Sequence, residues 1–191
     1  MSDAPRGRDP HRLAIAAALG AAALSAAVNI WHALEYPFWQ DEVGAARVIT
    51  TEGPIKMLRT IASTELHPPG FYTAGWLLDR VGVPVAWDRA ISILAAMALS
   101  GLLVLYARRF VPLWGAGLAG LVSVLGWQFW RHGWELRPYS LFALTCLVFV
   151  LVLERAAERP ARGRLALLTG VAVVGVMTHY FFVFTLAAGL L

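Results

Sequence analysis

The stretch that decides the fold is residues 39–72, WQDEVGAARVITTEGPIKMLRTIASTELHPPGFY, a long polar interval in a chain otherwise built of apolar runs. It opens on adjacent carboxylates, Asp41 and Glu42, behind the aromatic cluster Tyr36, Phe38 and Trp39, and closes on His67-Pro68-Pro69-Gly70. Apolar segments long enough to cross a bilayer flank it on both sides. The arrangement predicts a carboxylate pair held just outside a membrane, under an aromatic belt, where it can act on something the membrane delivers.

Composition agrees. Hydrophobic residues make up 59% of the 191 and charged residues only 15%, more apolar surface than a soluble domain of this length needs for its core. The lone cysteine, Cys146, lies inside an apolar run, so a disulfide framework and a thiolate metal cluster are both excluded. The net charge of +4 comes from arginines in short loops, a pattern that reports topology and not nucleic-acid binding. The expected class is all-α, a polytopic transmembrane helix bundle with short interfacial helices in its first outer loop.

Outward from the polar interval, residues 1–12 form a basic leader and residues 13–34 an uncharged run long enough to span, read as a retained helix in preference to a cleaved signal. Further spans are expected at about 91–107, 112–130, 138–153 and 165–191. The last is either one tilted helix or a helix that turns at His179 into a second one cut short. Because the chain stops inside this apolar run, the expectation is the front part of a longer protein. Within the loop at 35–89, short helices are expected over 41–49, over 54–62 with Ile55, Leu58 and Ile61 on one face, and from Pro68-Pro69 onward, lying apolar side down on the membrane.

Orientation follows from charge. Nine of the sixteen basic residues fall in the leader, at Arg108-Arg109 and in residues 154–164, in fewer than half as many positions as carry the other seven. That side is expected to be cytoplasmic, in a multi-pass protein of the cell membrane. The 35–89 loop, the 131–137 link and His179 then share the outer face.

Each motif has a chemical use. A carboxylate such as Asp41 can take a proton from an acceptor hydroxyl, and Glu42 can orient that acceptor or join Asp41 and His67 on a divalent cation. At a helix start, however, two acids also simply favour the positive end of the dipole. In Trp134-Glu135-Leu136-Arg137-Pro138-Tyr139, Arg137 at the mouth of a helix can hold a phosphate through two parallel hydrogen bonds, or merely snorkel to the interface. Glu135 and Tyr139 beside it make a polar constellation, and His179 in an apolar run is polar where polarity is costly unless partnered.

The order of these motifs resembles the GT-C glycosyltransferases: Asp-Glu after the first span, His-Pro-Pro with following aromatics before the second, Glu-x-Arg-Pro-Tyr before the fourth and Thr-His-Tyr in the fifth. Within them, the chain is similar to bacterial members of the protein mannosyltransferase and lipid A aminoarabinose transferase superfamily, family 39 of the sugar transferases. The resemblance runs from Leu13 onward but spans only the front half or less of such an enzyme. It implies a polyprenyl-phosphate-linked sugar as donor, a glycan, lipid or protein acceptor, inversion at the anomeric carbon, and in some relatives a divalent metal. It also implies Asp41 as the acid that activates the acceptor, Glu42 beside it, and Arg137 near the donor phosphate. His67, Glu135, Tyr139 and His179 fall in the substrate-binding motifs.

The rival from another class is a transporter or flippase that binds an anionic headgroup without chemistry. It explains the arginines and aromatics but gives Asp41 no task, and its charges belong near the midplane.

Overall fold

A computed structural model describes residues 9–189, and among them every regular element is helical. The first helix, α1 (Pro10–Glu35), starts where the Asp9 carboxylate accepts the His11 N–H and Pro10 fills a position that needs no donor. Its 26 residues reach about 39 Å. Three short helices follow, α2 (Gln40–Ile49), α3 (Pro54–Thr64) and α4 (Gly70–Arg80), then a 3-10 turn at Val85–Asp88 leading into α5 (Arg89–Ala107). The remainder is α6 (Leu113–Leu125), α7 (Trp127–His132), α8 (Tyr139–Glu158), α9 (Arg162–Thr178) and α10 (Phe182–Ala188).

Three of these helical segments are long and apolar enough to cross a membrane: Pro10–Glu35, Val85–Ala107 and Tyr139–Glu158. The span expected over 112–130 is interrupted. Backbone at Gly126 is extended (φ −61°, ψ 135°), so α6 stops after 13 residues, about 20 Å, short of a hydrocarbon core of roughly 30 Å. The run over 165–191 is broken as well, at His179 (φ −154°, ψ 132°). Helix α10 then folds back onto α9, a contact that needs Gly175: a Cβ there would fall 2.4 Å from the Phe182 ring.

Helices α1 and α5 pack antiparallel through small residues, and α6 joins them. Ala18, Val104 and Ala116 form their shared core, and at Gly120 a Cβ would sit 2.4 Å from Val104 and 3.1 Å from Ala21. Close backbone approach of this kind gives dispersion contacts where the hydrophobic effect between helices is weak. The bundle has two chemically different ends. One carries the chain reversals rich in arginine, where Arg109 and the Tyr106 hydroxyl both reach Glu154. The other carries everything between α1 and α5, the link from α7 to α8, and the break after α9.

At that second end α2, α3 and α4 do not lie as separate surface helices. They share a core of their own, Ala45, Val48, Ile49, Met57, Ile61, Phe71 and Tyr72, closed by Leu136 from the link. In α3 it is Met57 and Ile61 that enter this core, while Ile55 and Leu58 face outward, 67% and 48% exposed. The expected single face of Ile55, Leu58 and Ile61 is therefore divided, because the core takes the i, i+4 pair.

Candidate functional site

Helix geometry separates the two acids that open the loop. Successive residues of a helix point about 100° apart, so one of Asp41 and Glu42 faces solvent if the other faces the core. Asp41 is exposed, outside every ion pair among the described residues. Glu42 is fully buried.

Glu42 is held by Arg89 at the start of α5. The guanidinium gives Nε to Glu42 Oε1 at 2.8 Å and Nη2 to Oε2 at 2.7 Å, a two-point ion pair. Its remaining donors go to backbone at the end of α1: Nη1 to the carbonyls of Ala33 and Tyr36, both 2.8 Å, and Nη2 to that of Pro37 at 3.2 Å. All five N–H groups are thus engaged. The rings of Phe38 and Trp134 cover the guanidinium at 4.6 and 4.8 Å. Glu42 in turn accepts the Leu136 N–H at 2.7 Å and the Trp39 N–H at 3.3 Å. With so many donors on it, Glu42 is a structural tie, not a free partner for a substrate. This departs from the catalytic role expected beside Asp41.

One residue past Leu136, Arg137 is buried in a second cluster. Its carbonyl accepts from Ser92 Oγ at 2.9 Å, so the first turn of α5 holds Arg137 directly and Leu136 through the Glu42 that Arg89 binds. The guanidinium gives Nη1 to Glu65 Oε2 at 3.0 Å and to the Asp41 carbonyl at 3.4 Å, and Nη2 to His67 Nδ1 at 3.2 Å; the buried Nε finds no partner among the described residues. Tyr72 donates its hydroxyl to the same Glu65 oxygen. Only 8% of the Arg137 side chain is exposed, so it is not a snorkelling anchor.

Two imidazoles complete this cluster. Because a guanidinium only donates, His67 Nδ1 must be the acceptor, which leaves the proton on Nε2. Burial, and after it the nearby charge of Arg137 and then His179, lowers the His67 pKa to about 4, so the ring is neutral at physiological pH. His179 accepts the Phe181 N–H on Nδ1, the bond that shapes the break after α9, and its ring lies 4.8 Å from that of His67. Tyr139 stands 5.5 Å from His67 and 6.0 Å from His179. Burial, then the bond to Glu65, pushes the Tyr72 hydroxyl pKa up, keeping it a donor.

Of the residues singled out from sequence, Asp41 (through its backbone), His67, Arg137, Tyr139 and His179 therefore converge. Glu135 does not join them. It is buried and faces α7, where His132 Nδ1 contacts its Oε2 at 2.6 Å and Arg131 Nε lies 3.6 Å from Oε1. The metal set of Asp41, Glu42 and His67 is not assembled, since Glu42 is held in the Arg89 tie. No group of three or more His, Cys, Asp or Glu among the described residues is placed to hold a metal ion.

Sequence reasoning missed Arg89, Glu65 and Tyr72. Arg89 heads a spanning run, where a basic residue reads as an orientation signal. Glu65 and Tyr72 flank His67-Pro68-Pro69, and a buried cation such as Arg137 requires a nearby acid. That requirement is the signal that could have found Glu65. No protein-family model, no curated protein and no solved structure matches the chain.

Proposed function

We propose that the protein is a membrane glycosyltransferase that moves a sugar from a polyprenyl-phosphate donor to an envelope acceptor at the outer face of the cell membrane. In this reading the leader and the arginine-rich end are cytoplasmic, and the site end faces outward. The observation that carries it is the convergence at one end of an apolar bundle: Asp41, Glu65, His67, Tyr72, Arg137, Tyr139 and His179 come from four separate stretches, at 41, 65–72, 137–139 and 179. The residue that carries the exposed carboxylate, Asp41, thereby touches a buried, paired guanidinium through its backbone carbonyl. The resemblance of these motifs in order and sidedness to family 39 transferases supports the same conclusion.

The chemistry is a direct displacement. Asp41 takes the proton of the acceptor hydroxyl as its oxygen bonds the anomeric carbon, and the bond from that carbon to the phosphate oxygen breaks with inversion. The lipid phosphate leaves with the electron pair. It needs charge stabilisation, not a proton, which a preorganised guanidinium supplies. His67, His179 and Tyr139 bring hydrogen-bonding groups for the sugar or its phosphate, with His67 neutral so that it does not compete with Arg137 for Glu65.

The test is transfer of label. Full-length protein in vesicles is given a polyprenyl phosphate carrying a radiolabelled sugar, with a panel of envelope acceptors. Movement of label out of the lipid fraction is expected. Label that crosses the bilayer while staying on its lipid would replace the transferase with a flippase.

A further inference from the structure

We propose that Arg131, not Arg137, makes the direct contact with the donor's phosphate, an assignment that rests on the transferase reading. Three arginines engage the start of α2: Arg89 through Glu42, Arg131 through the Trp39 ring and Arg137 through the Asp41 carbonyl. Arg89 has no N–H left to give. Arg137 is closed in by Glu65, His67 and the Asp41 carbonyl, and only 8% of its side chain is exposed. A phosphate oxygen reaching the terminal nitrogens of either would have to displace a buried partner, and the unpaired Nε of Arg137 is itself buried.

Arg131 is different. Its side chain is 42% exposed, and its sole ion pair among the described residues is a 3.6 Å approach of Nε to Glu135 Oε1, longer than a hydrogen bond. Glu135 already has the shorter contact with His132. The Arg131 guanidinium is nevertheless not loose, because it rests over the Trp39 ring at 5.0 Å. Trp39 is the cap residue of α2, two positions before Asp41. A planar cation with open donors is thus held over the cap residue of the helix that carries the proposed base. That is the geometry a phosphate needs for two parallel hydrogen bonds. Arg47, the next basic residue along, is exposed at the far end of α2 and lacks such a support.

Division of labour follows. Arg131 receives the phosphate at the surface, and Arg137 supplies a fixed positive field from beneath while keeping Asp41, Glu65 and His67 in register.

The experiment measures binding of a polyprenyl phosphate and of the polyprenol of equal length to the full-length protein in detergent. Wild type should prefer the phosphate. Arg131→Gln should lose ~10-fold or more of affinity for the phosphate, as expected for charge-assisted hydrogen bonds, with binding of the alcohol unchanged. Arg131→Lys should recover part of the loss, and Arg47→Gln should behave as wild type. Because Arg131 is half exposed, its variants should melt at the wild-type temperature. Full preference for the phosphate in Arg131→Gln would overturn the assignment while leaving the transferase reading standing. No preference in wild type would defeat that reading and the assignment with it.

Discussion

The carboxylate of Glu42 and the guanidinium of Arg89 form a two-point ion pair, at 2.8 and 2.7 Å, with 0% and 6% of their side chains exposed. The pair joins the end of α1, the start of α2, the start of α5 and the backbone of Leu136. A buried pair gains little over well-packed apolar residues, yet breaking it from one side strands a charge.

Arg89→Ala should therefore cost about 3–5 kcal/mol, and Glu42→Ala a similar amount. The double variant should cost clearly less than the sum, because neither charge is then stranded. Denaturant unfolding of all four proteins measures the coupling. Additive losses would show that the two side chains do not depend on each other.

His67 gives the stability a pH dependence whose sign can be worked out. Its pKa is about 4 in the folded chain against 6.5 unfolded. Between those values the unfolded chain binds the proton and the folded chain does not, so this contribution is constant above about pH 6.5 and is lost as pH falls toward 4. At 1.36 kcal/mol per unit the loss is at most about 3 kcal/mol. His67→Gln keeps an acceptor for Arg137 and removes the titration. Unfolding at pH 7.5 and at pH 4.5 should show a smaller drop for this variant than for wild type, and equal drops would place His67 in water.

Much of the fold was legible because hydrophobic length is a local signal. The runs around α1, α5 and α8 announce themselves, and Pro54 and Pro68-Pro69 mark helix starts correctly. The break at Gly126 was harder, since it sits in apolar sequence, whereas the polar Thr178-His179-Tyr180 left a turn at His179 as one of two readings, and tertiary contacts such as Phe182 on Gly175 accompany it. At the site, residue type was legible and direction was not. Asp41 and Glu42 look like a pair in sequence, and the helix turns one outward and the other into the core. Glu135 and Arg137 likewise stand two apart and serve different clusters. Arg89 carried no local mark of this tie, because its hydrogen-bond partners lie 47 or more positions away.

Orientation is open to a direct check in a Cys146→Ala background. Single cysteines at Thr51 and at Gly163 should differ toward an impermeant reagent on intact cells, with position 51 labelled and position 163 protected. The reverse pattern would put the Asp41 end inside and remove the lipid donor from its reach.

The most direct measurement compares Asp41→Asn with wild type for sugar transfer and for donor binding in the same preparation. Asn keeps the size and much of the hydrogen bonding of Asp but has no proton affinity, and Asp41 is exposed, so the variant should fold normally. Turnover should fall ~100-fold or more, the range seen when a general base is removed, while the lipid donor binds as before. An Asp41→Asn protein that moves label at the wild-type rate would contradict the proposed role of the exposed Asp41 carboxylate.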